Sequence, residues 1–269
     1  VSIINGSEIA ETAKVVAGKD DPNMENATTH KKNAMFFMEN SKVGKTLDVE
    51  TEHGAIHIAG GSIGGNANLT ADSKGTDSGN IIIGYNSNDP NVVTDKNSTS
   101  IKGNIKAKSN LWTKAYSEGD LKFVGSDIAQ KITAESKNGN VVFANSVAGS
   151  ADLTAGQNAL SSNSTINENL TMKATNQAII NKSKIGNDLT VNAGKIYVNA
   201  SNSPITDLTE VGGNFTANSQ KNVSVYNMTV GEKATLKSGL TKQTPGHEKT
   251  SPTYLSNFKA KNLDVESGD

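Results

Sequence analysis

The sequence predicts an all-β chain, a right-handed parallel β-helix (solenoid) of about ten rungs with several insertion loops. Three observations predict it. First, a unit recurs: the start residues Ile128, Val147, Ile166 and Ile185 stand 19 apart, as do Val211 and Val230, and Val43 to Ile63 is a step of 20. Second, apolar residues alternate at fixed places after each start, as in Leu47/Val49, Leu170/Met172, Leu189/Val191 and Phe215/Ala217. Period two is the signature of a strand with one buried face. Third, a glycine often precedes a second alternating run, as Gly54, Gly79, Gly119, Gly139 and Gly194 do. Glycine there is expected to supply a corner with positive φ.

Taken in order, residues 1–42 hold N-terminal strands and a loop, read as leading rungs of the same solenoid. "VSIING" reads as a strand, "GKDDPNMENATTHKK" as an inserted loop, and "NAMFFMENSKVG" resembles the later "NVVFANSVAG". Residues 43–269 carry the 19-residue repeats, with inserts near 84–100, 112–120 and 240–257. In many units the first strand places Thr on its outer face (Thr133, Thr171, Thr190, Thr216, Thr235), where a β-branched polar residue suits a strand. The second strand carries pairs such as Ile56/Ile58, Val141/Phe143, Ile196/Val198 and Val223/Val225. A third, short strand carries the next start residue. No unit can bury its apolar face alone, so each must stack on the next. A helical reading fails, because the runs alternate and glycine interrupts the units.

Composition narrows the function. Hydrophobic residues make up 34% and aromatic residues 4%, which disfavours a thick aromatic core. Net charge is −1 and no residue is arginine, so nucleic acid is not an expected partner. Cysteine is absent, which excludes disulfides, thiolate metal sites and thiol nucleophiles, and fits a chain exported unfolded. No apolar run is long enough for a membrane span. The chain begins at Val1 and its last residues follow a strand pattern, so both ends read as cuts through a larger protein.

"IGNDLTVNAGKIYVNAS" (185–201) and "VGGNFTANSQKNVSVYN" (211–227) resemble the repeats of filamentous haemagglutinin and of related two-partner-secreted adhesins and contact-dependent inhibition proteins. The resemblance covers about residues 43–269. It implies a fragment of a secreted or surface-exposed bacterial adhesin, a rigid rod presenting loops to host-cell or bacterial surface receptors, protein or glycan. It also implies an outer-membrane export partner and a location outside the bacterial outer membrane. It supplies no catalytic motif. The alternatives are a polysaccharide-processing β-helix enzyme or phage fibre, and a structural stalk of a contact-dependent inhibition or toxin-delivery protein.

The expected binding residues are Tyr85, Trp112, Tyr116, His247 and Tyr254, aromatic or ring-bearing groups in or beside the inserts. Such side chains stack on sugar rings or anchor protein contacts, although a Trp also covers apolar residues at a loop base. No catalytic residue, metal or cofactor is expected. His53 and His57 flank Gly54 without a third ligand nearby, and "GYNSNDPNVVTDKN" lacks the alternating Asp of a calcium loop. Asp48 and Asp152 share one outward slot but lie several units apart, too far for paired acid–base work. Asn-x-Ser/Thr triplets at Asn68, Asn97, Asn163, Asn169, Asn181, Asn199, Asn214, Asn222 and Asn227 are glycan acceptors in form and arise easily from this composition.

Overall fold

The computed structural model describes residues 1–17, 36–52, 54–73, 80–84, 99–111, 120–199, 204–239 and 252–268. Among them lie 27 strands in one sheet, numbered here in chain order, and every pairing recorded between them is parallel. The first set of strands is β3 (Ala13–Ala17), β6 (Leu47–Thr51), β9 (Ala67–Ser73), β12 (Ile105–Leu111), β14 (Ser126–Ser136) and β16 (Val147–Ala155). It continues through β19 (Leu170–Asn181), β21 (Leu189–Val198), β23 (Phe215–Ser219), β25 (Lys233–Ser238) and β27 (Asn262–Ser267). The second set is β1 (Ser2–Ile3), β4 (Phe36–Glu39), β7 (Ile56–Ala59), β10 (Ile81–Gly84), β13 (Leu121–Val124), β15 (Val141–Ala144) and β17 (Asn158–Ser162). It is completed by β19, β21, β24 (Val223–Val230) and β26 (Thr253–Lys259). The third holds the short strands β2 (Glu8–Ile9), β5 (Lys42–Val43), β8 (Gly61–Ile63), β11 (Thr99–Ile101), β18 (Thr165–Ile166), β20 (Lys184–Ile185) and β22 (Thr209–Val211).

The register shows why these residues form these strands. Leu170 pairs with Leu189, Leu189 with Phe215, and Phe215 with Ala234. Their side chains, like Met172, Val191, Ala217 and Leu236 two residues on, are at most 2% exposed. Along the second set, Ile58, Ile83, Phe123 and Phe143 stand in register and are all fully buried. The alternating positions read from the sequence therefore line one continuous apolar core. Phe123 and Phe143 meet within it at 6.4 Å between ring centroids.

The pairing pattern corrects the expected right-handed β-helix. In that arrangement each strand pairs only with its equivalent in the next unit, and the ladders stay open and separate. Here β16, β19, β21 and β24 run on through corners and each takes part in two ladders. The pairings then close: β16–β18–β20–β22–β24–β21–β19 and back to β16. In its pairing the sheet is thus a closed parallel barrel of seven strands to which the other twenty are attached, not an open solenoid. The physical reason is that hydrogen bonding persists through the bends, so backbone groups at a corner stay paired.

Two local expectations are also corrected. The unit read as starting at Val147, which is 40% exposed, instead starts at Ala148, which is fully buried and pairs with Ile128. Nor do Gly54, Gly139 and Gly194 take positive φ; Gly79 and Gly119 lie outside the described residues. The left-handed corner instead follows the second strand. It is occupied by Asn40, Gly60, Gly125, Asn145, Asn163, Lys182, Asn199, Asn227 and Asn257. Asparagine tolerates this conformation better than other residues bearing a Cβ, which explains its abundance there. The amides also bond along the stack, Asn163 Nδ2 donating to Asn145 Oδ1 at 2.6 Å and Asn257 Nδ2 to Asn227 Oδ1 at 2.9 Å.

Lys182 is the exception, with φ of 45° and no amide to offer. Replacing it with asparagine should stabilise the protein by about 1 kcal/mol through relief of the left-handed strain. The cost is its exposed ion pair with Asp207 at 3.0 Å, a contact of the kind worth well under about 1 kcal/mol. A denaturant midpoint lowered by Lys182→Asn would contradict this account.

Candidate ligand groove

The groove grows out of a defect in the stacking. Along one corner, polar side chains pass hydrogen bonds from unit to unit. Asn80 Oδ1 accepts from the Asp120 N–H at 2.8 Å, and Asp120 Oδ1 accepts from the N–H and Nδ2 of Asn140 at 2.9 and 3.0 Å. Asn140 Oδ1 accepts in turn from the N–H and Nδ2 of Asn158 at 3.2 and 2.9 Å. The next unit breaks the series. Between Ala174 and Gln177 in β19 the register against β21 shifts, because Thr175 and Asn176 there face Gly194 alone.

Gly194 is required by that crowding rather than by its φ. A Cβ on it would lie 2.5 Å from the Asn176 carbonyl oxygen and 2.6 Å from that of Thr175, closer than real contacts allow. The bulge re-aims the chain, as bulges in sheets do. It leaves a groove of about 560 Å³ beside it, within the usual range for small-ligand sites. Asn158, Asn176 and Gln177 line one side, and Lys195, Gln220 and Lys221 the other. No His, Cys, Asp or Glu lines the groove, so its chemistry is amide hydrogen bonding plus two ammonium groups. Such a lining can hold a hydroxyl-rich or anionic ligand. It offers no acid–base pair.

Of the residues expected from the sequence, Tyr254 is not among those that line the groove. Tyr85, Trp112, Tyr116 and His247 lie outside the described residues, as does His53. Tyr254 is described: it sits in β26 opposite Ser224, 54% exposed, at an edge of the sheet. Within the expected insert 240–257, residues Thr253 to Asn257 are strand rather than loop. No group of three or more metal-ligating residues occurs among the described residues. Asp48 accepts from Asn68 Nδ2 at 2.7 Å, and Asp152 pairs with Lys131 at 2.6 Å. Among the glycan-acceptor triplets, Asn199 and Asn227 are only 3% and 6% exposed, so they are closed to modification.

His57 is half-buried between Phe37, at 5.1 Å and near-perpendicular, and the adjoining strand. Its Nε2 is buried without a hydrogen-bond partner. Burial lowers its pKa below the usual imidazole value, opposed by the Gly84 backbone and the Glu39 carboxylate. The folded protein therefore resists protonation of His57, while the unfolded chain accepts a proton near pH 6.5. Stability should fall as pH drops through that value and be unaffected by this group above it. Thermal unfolding at pH 7.5 and 5 should show a smaller acid loss in His57→Gln than in the parent; an equal loss would exclude this origin.

No protein-family model, curated protein or solved structure matches the chain. The resemblance to filamentous haemagglutinin-type repeats rested on an open solenoid, and the closed ring of pairings overturns it. The adhesin rod falls with that geometry, as do the β-helix enzyme, phage fibre and stalk readings, each of which depended on an open column. Among the described residues no helix is long and apolar enough to cross a membrane.

Proposed function

We propose that the protein is a non-catalytic binder of acidic saccharides, holding a uronate- or sulfate-bearing segment in the groove beside the β19 bulge. The observation that carries this reading is the convergence of Lys195 and Lys221 with the amides of Asn158, Asn176, Gln177 and Gln220 where no carboxylate intrudes. Amides match sugar hydroxyls as both donors and acceptors, and the ammonium groups neutralise the acidic substituent. The whole chain is nearly neutral at −1, so attraction would be local to the groove rather than a diffuse surface effect. Acidic glycans coat cell surfaces, so the same reading puts the protein outside the cell with a surface glycan as partner.

Calorimetric titration with polygalacturonate and with heparin oligosaccharides, against neutral glucans as controls, tests it. Binding to an acidic glycan should weaken about tenfold or more in Lys195→Glu/Lys221→Glu, given one half-buried and one exposed charge reversed. The glycan should be recovered uncut. No binding to either acidic glycan, binding indifferent to the double variant, or glycan cleavage would each overturn it.

A further inference from the structure

One row of side chains departs from the polar character of the outer face. Along the second set, Val142, Leu160, Ile179 and Tyr197 stand in register in successive units. Their neighbours in sequence, such as Val141 and Phe143, Ala178 and Ile180, and Ile196 and Val198, face the core and are fully buried. Alternation therefore turns the row outward, where each member is half-buried. At about 4.8 Å per step the row is about 14 Å long. It is bounded, because Lys122 takes its position in the unit before and Ser224 in the unit after. The matching outer positions of the other two sets are polar: Thr133, Asp152, Thr171 and Thr190 in the first, and Thr165, Lys184 and Glu210 in the third. Val147, opposite Thr165, is the exception.

The row runs beside the groove. Leu160, Ile179 and Tyr197 stand two residues after Asn158, Gln177 and Lys195, which line the groove, and on the same strands. Residues two apart in a strand share a face, about 7 Å from each other. A column rich in amides thus adjoins a column that offers no hydrogen bond except through the Tyr197 hydroxyl. A ligand held by Asn158, Gln177 and Lys195 meets the row with whatever substituent it carries on that side. A bare hydroxyl turned to Leu160 and Ile179 would exchange water for side chains with no donor or acceptor, which weakens binding. A methyl group in the same place leaves water for an apolar contact, which strengthens it.

We propose, building on the glycan reading of the groove, that the acidic saccharide it holds is acylated: N- or O-acetyl methyl groups lie on the row while the acidic groups face Lys195 and Lys221. An acetyl group matches both columns at once. Its methyl suits Leu160 and Ile179, and its carbonyl oxygen accepts from an amide N–H of the groove or from the Tyr197 hydroxyl. The width of the row points the same way. It is one side chain across, with Asn158 and Gln177 on one flank and Ser162 and Asn181 on the other. Such a line suits single methyl groups spaced along a polar chain, whereas a protein or lipid surface calls for a broad apolar patch.

Calorimetric titration of the full chain with matched glycans tests the proposal. O-acetylated polygalacturonate is set against the unacetylated polymer, and N-acetylheparosan against its N-formyl counterpart, so that charge is the same within each pair. In at least one pair the acetylated member should bind about threefold or more tighter, the gain from taking a methyl group out of water. The pair that shows it tells whether the acyl link is an ester or an amide. Leu160→Thr/Ile179→Thr should bring the affinity ratio within that pair to about one, and circular dichroism checks that the variant is folded; threonine suits an outer strand position. The comparison on the parent chain is decisive even where that variant fails to fold. Equal affinities within both pairs, or a preference that survives the double substitution, would overturn acyl recognition and leave the groove's binding of acidic glycans standing. Absence of binding to all four glycans would overturn both.

Discussion

Phe215→Ala should destabilise the protein by about 3–5 kcal/mol, the range for truncating a buried aromatic ring. Phe215 is fully buried, and its neighbours along the column are Leu189 and Ala234. Ala217, two residues on and on the same face, is small and equally buried. The phenyl ring is the largest buried side chain of that unit, beside Val211, Val223, Val225 and Met228. The space it leaves cannot collapse readily, because backbone hydrogen bonds to both β21 and β25 hold the strand in place. Phe215→Leu keeps most of the volume and should cost under about 1.5 kcal/mol. Urea unfolding of the two variants reads the difference; a Phe215→Ala midpoint equal to the parent's would show that the ring does not fill the core.

Asn199→Ala should cost about 3 kcal/mol, for two separable reasons. Its amide is 3% exposed and fully engaged. Nδ2 donates to the carbonyls of Tyr226 at 2.8 Å and Asn227 at 2.9 Å, while Oδ1 accepts from the Lys182 N–H at 2.8 Å and the Thr209 hydroxyl at 3.2 Å. Truncation leaves those groups buried without partners, and leaves an alanine at φ of 53°. Asn199→Gly removes the bonds but accepts the φ, so it should recover about 1 kcal/mol relative to alanine. Equal midpoints for the glycine and alanine variants would assign the whole loss to hydrogen bonding, and a parent-like alanine variant would refute both contributions.

Much of the core was legible in the sequence, because burial in a strand follows from alternation alone. Leu170, Leu189, Phe215, Ile56 and Val223 stand where period two puts them, and all are fully buried. Closure was not legible. Periodicity reports which way a side chain points, not whether a strand ends at a bend, and β16 and β24 each continue as one strand past theirs. The corner conformation was misassigned to glycine because asparagine, the residue that holds it, was read as generic turn chemistry. The groove left one trace: Leu170 to Ala178 spans one residue more than Leu189 to Ile196, the extra length that becomes the bulge over Gly194. Its lining of Asn, Gln and Lys looks like any other exposed strand surface, so nothing in composition singled it out. Tyr254, expected to bind through its ring, stands in β26 with that ring 54% exposed.

The seven-strand ring through β16–β24 has a kinetic corollary. Freeing a whole strand from a closed circuit breaks its pairing on both sides at once, whereas the flanking strands can peel away one by one from the ends. Deuterium uptake should therefore be slowest across residues 147–230 and quicken stepwise toward either extremity, so that the centre behaves as a single cooperative block from which unravelling proceeds last.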